Sequence, residues 1–264
     1  MTTSHWNEFH RRWARIKPPL RPNAEIVAAF EAALAGHASR VLLLGVTREL
    51  ADLGHELVAV DRNAGMIEHV WPGDLARRHA YLGDWLDLKF PKGHFSAVIG
   101  DGSLSTLLYP AGHRAFYAQL EHVLEPGGRF IVRTFAAPEE GDTVDAVADC
   151  AWGRRIANFH AFKWHLAMAI VSGSGDANVA VTDIRDVFNR VFPDRTALAK
   201  ATGWASEDID TIDVYEASPD LYSFATLTQL RAVVPKSFRR VDIEAVGTYP
   251  LAERCPFMIV ERGA

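Results

Sequence analysis

Between residues 40 and 135 the sequence alternates short, continuously apolar runs with longer stretches of helical periodicity. The clearest runs are VLLLGV (41–46), ELVAV (56–60), FSAVIGD (95–101) and RFIVRTF (129–135), with a weaker one at HAYLGD (79–84). Strands that are apolar on both faces and separated by helices are typical of a parallel sheet covered on both sides. The pattern therefore predicts an α/β fold built on five parallel strands.

The C-terminal part of the chain extends this sheet. RRVDIEAVG (239–247) and PFMIVER (256–262) indicate two more strands, and the spacer between them is too short for a crossover helix. These two strands should therefore pair antiparallel. SFATLTQLRAVV, just before them, predicts a helix capped by Ser223. The fold class expected is α/β, with a seven-stranded, mostly parallel sheet, a C-terminal antiparallel hairpin and a helical insert.

The remaining segments have helical patterns. TSHWNEFHRRWARI fits one amphipathic helix ended by Pro18 and Pro19, and a second helix should run from an N-cap at Asn23 to a stop at Gly36. The helical stretch 136–210 is interrupted by SGSGDAN, which we interpret as its most flexible point. We divide the chain into an N-terminal helical cap (1–37), a cofactor-binding domain (38–135 and 221–264) and a helical insert or lid (136–220).

Charge and composition narrow the classes of function. The net charge is −5 and the pI is near 6.1, without a Lys/Arg-rich run, so a nucleic-acid partner is not indicated. No apolar stretch reaches the roughly 18 residues of a membrane span, and the N-terminus lacks the apolar core of a signal peptide. Cys150 and Cys255 form no spacing motif and are expected to be reduced thiols. These features predict a cytoplasmic protein without a membrane partner.

Several residues stand at the ends of the predicted strands in a specific order. Gly45 opens a turn after the first strand, Asp61 ends the second, Met66 follows in DRNAGMIE, GDW (83–85) follows the third, and LEPGGRFIV leads into the fifth. In this order they resemble the class I S-adenosylmethionine-dependent methyltransferases, which have a Rossmann-like fold. The resemblance covers residues 40–135 and, more loosely, 220–262. It implies S-adenosylmethionine as the cofactor.

The resemblance also implies roles for individual residues. In the family the matching positions begin the glycine turn, bind the ribose hydroxyls, pack on adenine and meet the adenine amino group. A carboxylate at the carboxyl edge of a strand can accept two hydrogen bonds from a vicinal diol. Taken singly, Asp61 could instead cap a helix, Met66 could be core, and Asp84 could be a solvated loop acid. The candidate cofactor-binding residues are Gly45, Thr47, Glu49, Asp61, Met66, Asp84, Trp85 and Asp101.

The turn after the first strand departs from the family's first motif. Leu43, Thr47 and Glu49 occupy the positions of its acid and of two further glycines. The adenosine half of the site is thus expected to be retained and the methionine half rebuilt. Our hypothesis is that Thr47 caps the following helix while Glu49 binds the methionyl ammonium. The alternative is that Glu49 only complements the helix dipole.

The same turn argues against a dinucleotide cofactor. A diphosphate needs a G-x-G-x-x-G turn so that its oxygens can approach the helix N-terminus. GVTREL lacks these glycines, and Glu49 would repel a diphosphate. A nucleoside cofactor without phosphate fits the turn better.

Methyl transfer requires an aligned acceptor and, for a hydroxyl or ammonium acceptor, removal of a proton. The acceptor should lie above the fourth and fifth strands, where Ser103, Ser105 and Arg133 are also available. GDGSLS does not resemble the Asn/Asp-Pro-Pro-Tyr motif of amino-methylating nucleic-acid enzymes. The candidate catalytic residues are Tyr109, His113 and Lys163.

Lys163 lies in the helix GRRIANFHAFKWHLAMAIV, which could roof a pocket. Alternatively, its aromatic side chains belong to the core while Lys163 and His165 are solvated. No carboxylate or Cys stands at ligand spacing from its histidines, so no metal site is predicted.

These observations favour a methyltransferase that acts on a small-molecule acceptor by O- or N-methylation. A cofactor-binding relative with lost or altered chemistry is the main alternative, because the first motif is rebuilt. An NAD-type oxidoreductase is a third possibility, disfavoured by the diphosphate argument above.

Overall fold

The computed structural model describes residues 4–263 and contains two β-sheets. The strands are β1 Arg40–Leu44, β2 Glu56–Asp61, β3 Arg78–Leu82, β4 Phe95–Asp101, β5 Leu124–Arg133, β6 Asn178–Ala180, β7 Leu221–Ser223, β8 Phe238–Glu244 and β9 Phe257–Arg262.

The larger sheet has seven strands in the order β3-β2-β1-β4-β5-β9-β8. Its first five strands are parallel, and β9 runs antiparallel to both β5 and β8. This arrangement confirms the predicted Rossmann-like sheet with its C-terminal antiparallel pair. The second sheet is an antiparallel pair, β6 with β7.

Helices cover both faces of the large sheet. They are α1 Trp6–Phe9, α2 Ala24–Leu34, α3 Ala64–His69, α4 Ala111–Val123, α5 Val144–Trp152, α6 Phe159–Ser174, α7 Val181–Val191, α8 Arg195–Thr202, α9 Ser206–Ile209 and α10 Leu227–Ala232.

The central strand β1 shows why the apolar runs in the sequence are continuous. Val41 and Leu43 belong to the hydrophobic cluster on one face of the sheet, whereas Leu42 and Leu44 belong to the cluster on the other. All four side chains are buried. Because successive side chains point to opposite faces, a strand covered on both sides must be apolar at every position.

The predicted ends of α2 are confirmed. The Asn23 side chain accepts a hydrogen bond from the Ile26 amide at 3.1 Å, and Gly36 follows the helix with φ of +81°. The single helix expected over residues 3–16 is wrong for the part that the structure describes, and Thr3 lies outside it. There, α1 gives way to a 3-10 helix at His10–Arg15. Arg12 of this tighter segment donates to the Asp210 carbonyl, so contacts with the insert accompany the change.

Two other expected boundaries are corrected. Ser223 is the last residue of β7 and does not cap α10. Thr226 is the cap, because its side chain and that of Gln229 form a reciprocal capping box. The predicted loop 172–178 is partly helical, since α6 continues to Ser174 and ends at Gly175, whose φ is +73°.

None of the helices within residues 4–263 is both long enough and apolar enough to cross a membrane.

Candidate active site

A cavity of about 460 Å³ lies at the carboxyl ends of β1, β2 and β4. Open α/β sheets bind ligands at this edge. Its walls come from three parts of the chain: the strand-end loops, the N-terminal segment with Trp6 and Trp13, and the insert with Trp164. The cavity therefore joins the sheet to both segments that flank it in sequence.

The turn after β1 is open to this cavity at Gly45. Its φ is +83°, a conformation that L-residues rarely adopt, and its amide donates to the Val60 carbonyl at 2.8 Å. A Cβ at this position would lie 3.7 Å from Oδ2 of Asp61 and 3.8 Å from the Trp85 ring. Glycine thus keeps both the backbone conformation and the space beside Asp61.

Asp61 ends β2 and presents a largely buried carboxyl group to the cavity. Its Oδ1 accepts from the Asn63 amide at 2.8 Å, while its Oδ2 faces the glycine turn. Burial raises the pKa of Asp61 to about 6. The N-cap of α3 is Asn63, which accepts from the Met66 amide at 3.0 Å, so Asp61 is not needed for that role.

Three other residues predicted for the adenosine half line the same cavity: Met66, Asp84 and Trp85. Met66 is buried. Trp85 is fixed by a hydrogen bond of 2.6 Å from its Nε1 to the Val60 carbonyl. Asp84 is exposed, and its Oδ1 accepts from the Leu86 amide at 2.8 Å. An apolar side chain, a flat ring and a carboxylate therefore surround one end of the cavity.

The rebuilt turn differs from the hypothesis in two respects, which concern Thr47 and Glu49. Thr47 lines the cavity, but its side chain makes no capping hydrogen bond, because only one 3-10 turn, Arg48–Leu50, follows it. Glu49 does not line the cavity. Its Oε1 accepts from Nε of Arg21 at 2.6 Å, and its buried Oε2 has no hydrogen-bond partner within residues 4–263. The turn is thus tied to the N-terminal segment.

Asp101 lies on the cavity floor in a buried ion pair with Arg133. The two Asp101 oxygens accept from Nε and Nη2 of Arg133 at 2.6 and 2.9 Å. Nη2 also donates to the Pro19 carbonyl at 2.7 Å. Although burial lowers it, the Asp101 carboxylate raises the pKa of Arg133 above its ordinary value. The pair joins the ends of β4 and β5 to the N-terminal segment.

The predicted catalytic residues lie outside the cavity lining. The Tyr109 hydroxyl donates to the Gln229 carbonyl at 3.2 Å. His113 is 1% exposed, with Nε2 at 2.9 Å from the Leu104 carbonyl, and burial lowers its pKa to about 4. The structure brings neither of them to the strand-end cavity, and each is held by a backbone carbonyl, of Gln229 and of Leu104 respectively.

Lys163 is fully buried in α6, in contrast to the solvated position considered from the sequence. Its Nζ has no hydrogen-bond partner in the described part of the chain and lies 4.8 Å from the centroid of the Tyr215 ring. Burial lowers the pKa of Lys163 to about 7. His165 is less buried and contacts Asp142 at 2.7 Å.

The insert side of the cavity carries three buried polar atoms, and an acceptor role was proposed from the sequence for only two of the residues that supply them. Oγ of Ser103, Oγ of Ser105 and Nε1 of Trp164 are buried, line the cavity and have no hydrogen-bond partner among residues 4–263. The two serines were identified from the sequence as available to an acceptor. Trp164 was assigned only to a roof or to the core.

A further group in this wall was missed altogether. Asp220 and Tyr222 both line the cavity, and His5 lies between them. Nδ1 of His5 is 2.8 Å from Oδ2 of Asp220, and Nε2 is 2.8 Å from the Tyr222 hydroxyl. No local motif could have revealed this group, because His5 and Asp220 are 215 residues apart.

Within residues 4–263, no group of three or more His, Cys, Asp or Glu side chains is placed to hold a metal ion.

Comparison with known proteins agrees with this geometry. Residues 45–132 match the family model described as "Methyltransferase domain". No curated protein sequence matches the chain.

Solved structures with this fold include the N-methyltransferase NodS from Bradyrhizobium japonicum WM9 in complex with S-adenosyl-L-homocysteine. It has a TM-score of 0.54 and 11% identity, over 99% of this chain and 100% of that chain. The 1,6-didemethyltoxoflavin-N1-methyltransferase from Burkholderia thailandensis has a TM-score of 0.52 and 17% identity, over 98% and 84%.

A protein from Rhodobacter sphaeroides described as a Zn-dependent alcohol dehydrogenase also shares the fold, with a TM-score of 0.58 and 16% identity over 100% of both chains. At these identities the likeness concerns the fold alone, whereas the match over residues 45–132 is to a methyltransferase domain. The match over residues 45–132 and the topology of the sheet together show that this chain contains a methyltransferase domain with a Rossmann-like fold, and S-adenosylmethionine is the cofactor that this family uses.

Proposed function

We propose that this methyltransferase transfers the methyl group to an oxygen or nitrogen of a small-molecule acceptor bound in the cavity described above. The observation that carries the proposal is the continuity of that cavity. It runs from the strand ends, where the cofactor residues are expected, to unpaired polar atoms on the insert side. Donor and acceptor can therefore meet in one continuous cavity of about 460 Å³.

The cofactor half consists, in this proposal, of the strand-end residues. Asp61 accepts hydrogen bonds from the ribose hydroxyls, Met66 and Trp85 contact the adenine ring, and Asp84 accepts from its amino group. The open backbone at Gly45 lets the methionyl tail approach the turn. When bound, S-adenosylmethionine supplies a methyl group on a positively charged sulfur, which an aligned acceptor displaces in line.

The acceptor half consists of Ser103, Ser105, Phe135, Trp164 and Tyr222. Phe135 and Trp164 pack edge to face, with ring centroids 5.5 Å apart, and provide an apolar wall. A buried polar atom without a partner costs free energy unless a ligand pairs with it. The unpaired Oγ and Nε1 atoms therefore support an acceptor that offers hydrogen-bonding groups next to an apolar or aromatic body.

The two remaining parts of the chain serve as covers in this proposal. The N-terminal segment supplies Trp6 and Trp13 to the cavity wall, and the insert supplies Trp164. We keep the division into a cap (1–37), a cofactor domain (38–135 and 221–264) and a lid (136–220) as a working description. NodS and the toxoflavin methyltransferase are N-methyltransferases with the same fold, and the second was solved with its small molecule bound.

The first test is calorimetric titration of the wild-type protein with S-adenosylhomocysteine, S-adenosylmethionine and NAD. We expect heat with the two sulfur nucleosides and none with NAD. The second test incubates the protein with methyl-labelled S-adenosylmethionine and a panel of phenols, amines and heteroaromatic N–H compounds. Labelled product from at least one class is expected.

Each result has a distinct meaning. Binding of NAD without the nucleosides would overturn the cofactor assignment to these residues. Cofactor binding without product from any class would favour the alternative in which the rebuilt turn accompanies lost chemistry. Tryptophan fluorescence provides a control for folding, because several Trp residues line the cavity.

A further inference from the structure

We propose that Tyr222, His5 and Asp220 form a proton relay that takes the proton from the methyl acceptor. The inference rests on the proposed function, because it assigns a base to the acceptor half of the same cavity. It names Tyr222 as the catalytic residue that touches the acceptor. His5 receives the proton of Tyr222, and Asp220 orients His5.

The hydrogen bonds fix the direction of the relay. A carboxylate can only accept, so the 2.8 Å contact between Asp220 and His5 requires the proton to be on Nδ1 of His5. Nε2 then has its lone pair directed at the Tyr222 hydroxyl, which donates to it over 2.8 Å. A phenol oxygen has two lone pairs, so Tyr222 can accept a proton while it releases its own to His5.

The surroundings of Asp220 favour its ionised form. Burial opposes its charge, but hydrogen bonds from His5, Ser4 and Ser218 hold the pKa of Asp220 below its ordinary range. Ser4 Oγ donates over 2.6 Å and Ser218 Oγ over 3.0 Å. A carboxylate held in this way orients the imidazole and stabilises the imidazolium that forms.

Burial lowers the pKa of His5, the Asp220 carboxylate raises it, and the charges of Lys163 and Arg62 lower it. Tyr215 packs edge-on against the His5 ring, with centroids 5.1 Å apart. Together these contributions lower the pKa of His5 below its ordinary value, which favours the neutral ring that a proton acceptor requires.

The proton and electron balance of the step is complete. The acceptor oxygen or nitrogen forms a bond to the methyl group as the sulfur–methyl bond breaks, with its electron pair remaining on sulfur. The acceptor proton moves to the Tyr222 oxygen, and the Tyr222 proton moves to Nε2 of His5. The positive charge lost by the sulfonium thus reappears as imidazolium, next to the Asp220 carboxylate.

The first experiment measures the His5 tautomer by ¹⁵N NMR of the protein with S-adenosylhomocysteine. The His5→Gln variant identifies the His5 signals among the 11 histidines. A neutral ring with the proton on Nδ1 at neutral pH is expected. A proton on Nε2, or an imidazolium, would overturn the relay, because Nε2 could not then accept from Tyr222.

The second experiment measures kinetics with the acceptor class that gives product. Tyr222→Phe retains the ring that packs on Trp164, with centroids 5.0 Å apart. It should lower kcat about 10²-fold or more, the usual contribution of a positioned base. The affinity for S-adenosylhomocysteine should not change. Tyr117→Phe is the matched control, because Tyr117 is also buried but lies outside the cavity, and its kcat should equal that of the wild type.

The pH profile separates catalysis from packing. In the wild type, kcat should rise with pH as His5 loses its proton, with a midpoint below 6.5 because the pKa of His5 is lowered. His5→Gln should abolish this limb. An unchanged profile in His5→Gln, or an unchanged kcat in Tyr222→Phe, would overturn the relay even with the cofactor bound normally.

If no acceptor class gives product, the proposed function fails in its acceptor part. The tautomer measurement still decides the relay in that case, because it needs only the protein and S-adenosylhomocysteine. The two failures are therefore distinguishable.

Discussion

Asp61, which we propose binds the cofactor, lowers the free energy of unfolding when its buried carboxyl group is ionised. Its folded-state pKa of about 6 exceeds its ordinary value of 3.8, because burial penalises the charged form. The folded state then binds the proton more tightly than the unfolded state between these values. The contribution of Asp61 to the free energy of unfolding consequently falls as pH rises from about 4 to about 6 and stays low above that.

We expect Asp61→Asn to stabilise the protein without ligand while weakening the cofactor. At pH 7 the gain should be about 1–3 kcal/mol, since a neutral amide avoids the burial penalty. Binding of S-adenosylhomocysteine should lose about 1–3 kcal/mol, because a hydrogen bond to a charged group is replaced. Urea unfolding and calorimetry measure the two quantities.

The pH dependence of binding provides the control for Asp61. In the wild type the affinity for S-adenosylhomocysteine should fall below about pH 6 as the carboxylate takes up a proton. In Asp61→Asn that limb should be absent. Equal pH dependence in both proteins would remove Asp61 from the ribose site.

Glu49 is the second residue whose role can be separated by ligand choice. If its carboxylate binds the methionyl ammonium, Glu49→Gln should weaken S-adenosylmethionine by about 1–3 kcal/mol and spare methylthioadenosine, which lacks the amino-acid tail. The Arg21 ion pair and the position outside the cavity lining favour a structural anchor instead. We therefore expect a small and equal loss for both ligands, reproduced by Arg21→Met. A loss confined to S-adenosylmethionine would restore the ammonium role.

At the scale of single elements, the sequence predicts best those features that depend on local chemistry. Asn23 and Gly36 bound α2 as expected, because an N-cap oxygen and a glycine of positive φ act on their own turn. The continuous apolar pattern of β1 likewise predicts a strand that is covered on both faces of the sheet. Ser223 fails as a cap because Thr226 with Gln229 forms a better local pair.

Helix α6 resists such prediction because it is buried on nearly every side. His160 and Lys163 are both 0% exposed, alongside Phe159 and Phe162. Its polar residues suggest a solvated face, yet the insert covers them. Only tertiary packing decides this, since the sequence of the helix does not contain the surfaces that bury it.

Lys163 in α6 gives an element-scale prediction about stability. Its folded-state pKa of about 7 lies below the ordinary value of 10.5, so the unfolded state binds more protons between these values. The contribution of Lys163 to stability should rise as pH rises from about 7 to about 10.5. Lys163→Met should thus raise the free energy of unfolding at pH 7 by about 2–4 kcal/mol, and by less at pH 10.

Urea unfolding at the two pH values tests this, and turnover of the same variant tests the catalytic assignment. Stabilisation with normal turnover would mean that Lys163 is a tolerated buried amine. Lost turnover in a stable, cofactor-binding Lys163→Met protein would support the role predicted from the sequence.

At the scale of the whole molecule, three pairs of polar side chains join the N-terminal segment to later parts of the chain. Lys17 pairs with Asp208 at 2.7 Å, Arg21 with Glu49 at 2.6 Å, and His5 with Asp220 at 2.8 Å. The Lys17 and His5 pairs join the N-terminal segment to the insert and to its C-terminal end. The Arg21 pair joins the same segment to the turn after β1. Sequence patterns cannot show such contacts, because their partners are separated by 28 to 215 residues. The strand-end residues predicted for the cofactor mostly line one cavity, whereas no sequence pattern points to this closing wall.

These contacts hold the N-terminal segment, which supplies Trp6 and Trp13 to the cavity wall, and we expect its motion to control ligand exchange. Hydrogen exchange should therefore show faster exchange for residues 4–22 than for the buried strands β1 and β4 in the free protein. Binding of S-adenosylhomocysteine should slow exchange in residues 4–22 and in 218–224 together, because both line or close the occupied cavity.

The Arg21→Met variant removes the ion pair with Glu49. It should speed hydrogen exchange in residues 4–22 and increase the dissociation rate of S-adenosylhomocysteine, measured by stopped-flow fluorescence. Lys89→Met is the matched control, since Lys89 forms an exposed ion pair with Asp87 and neither residue lines the cavity, and it should change neither quantity. If ligand binding protects the strand-end loops but leaves residues 4–22 unchanged, the segment is a fixed wall, and the ligand must enter by another route.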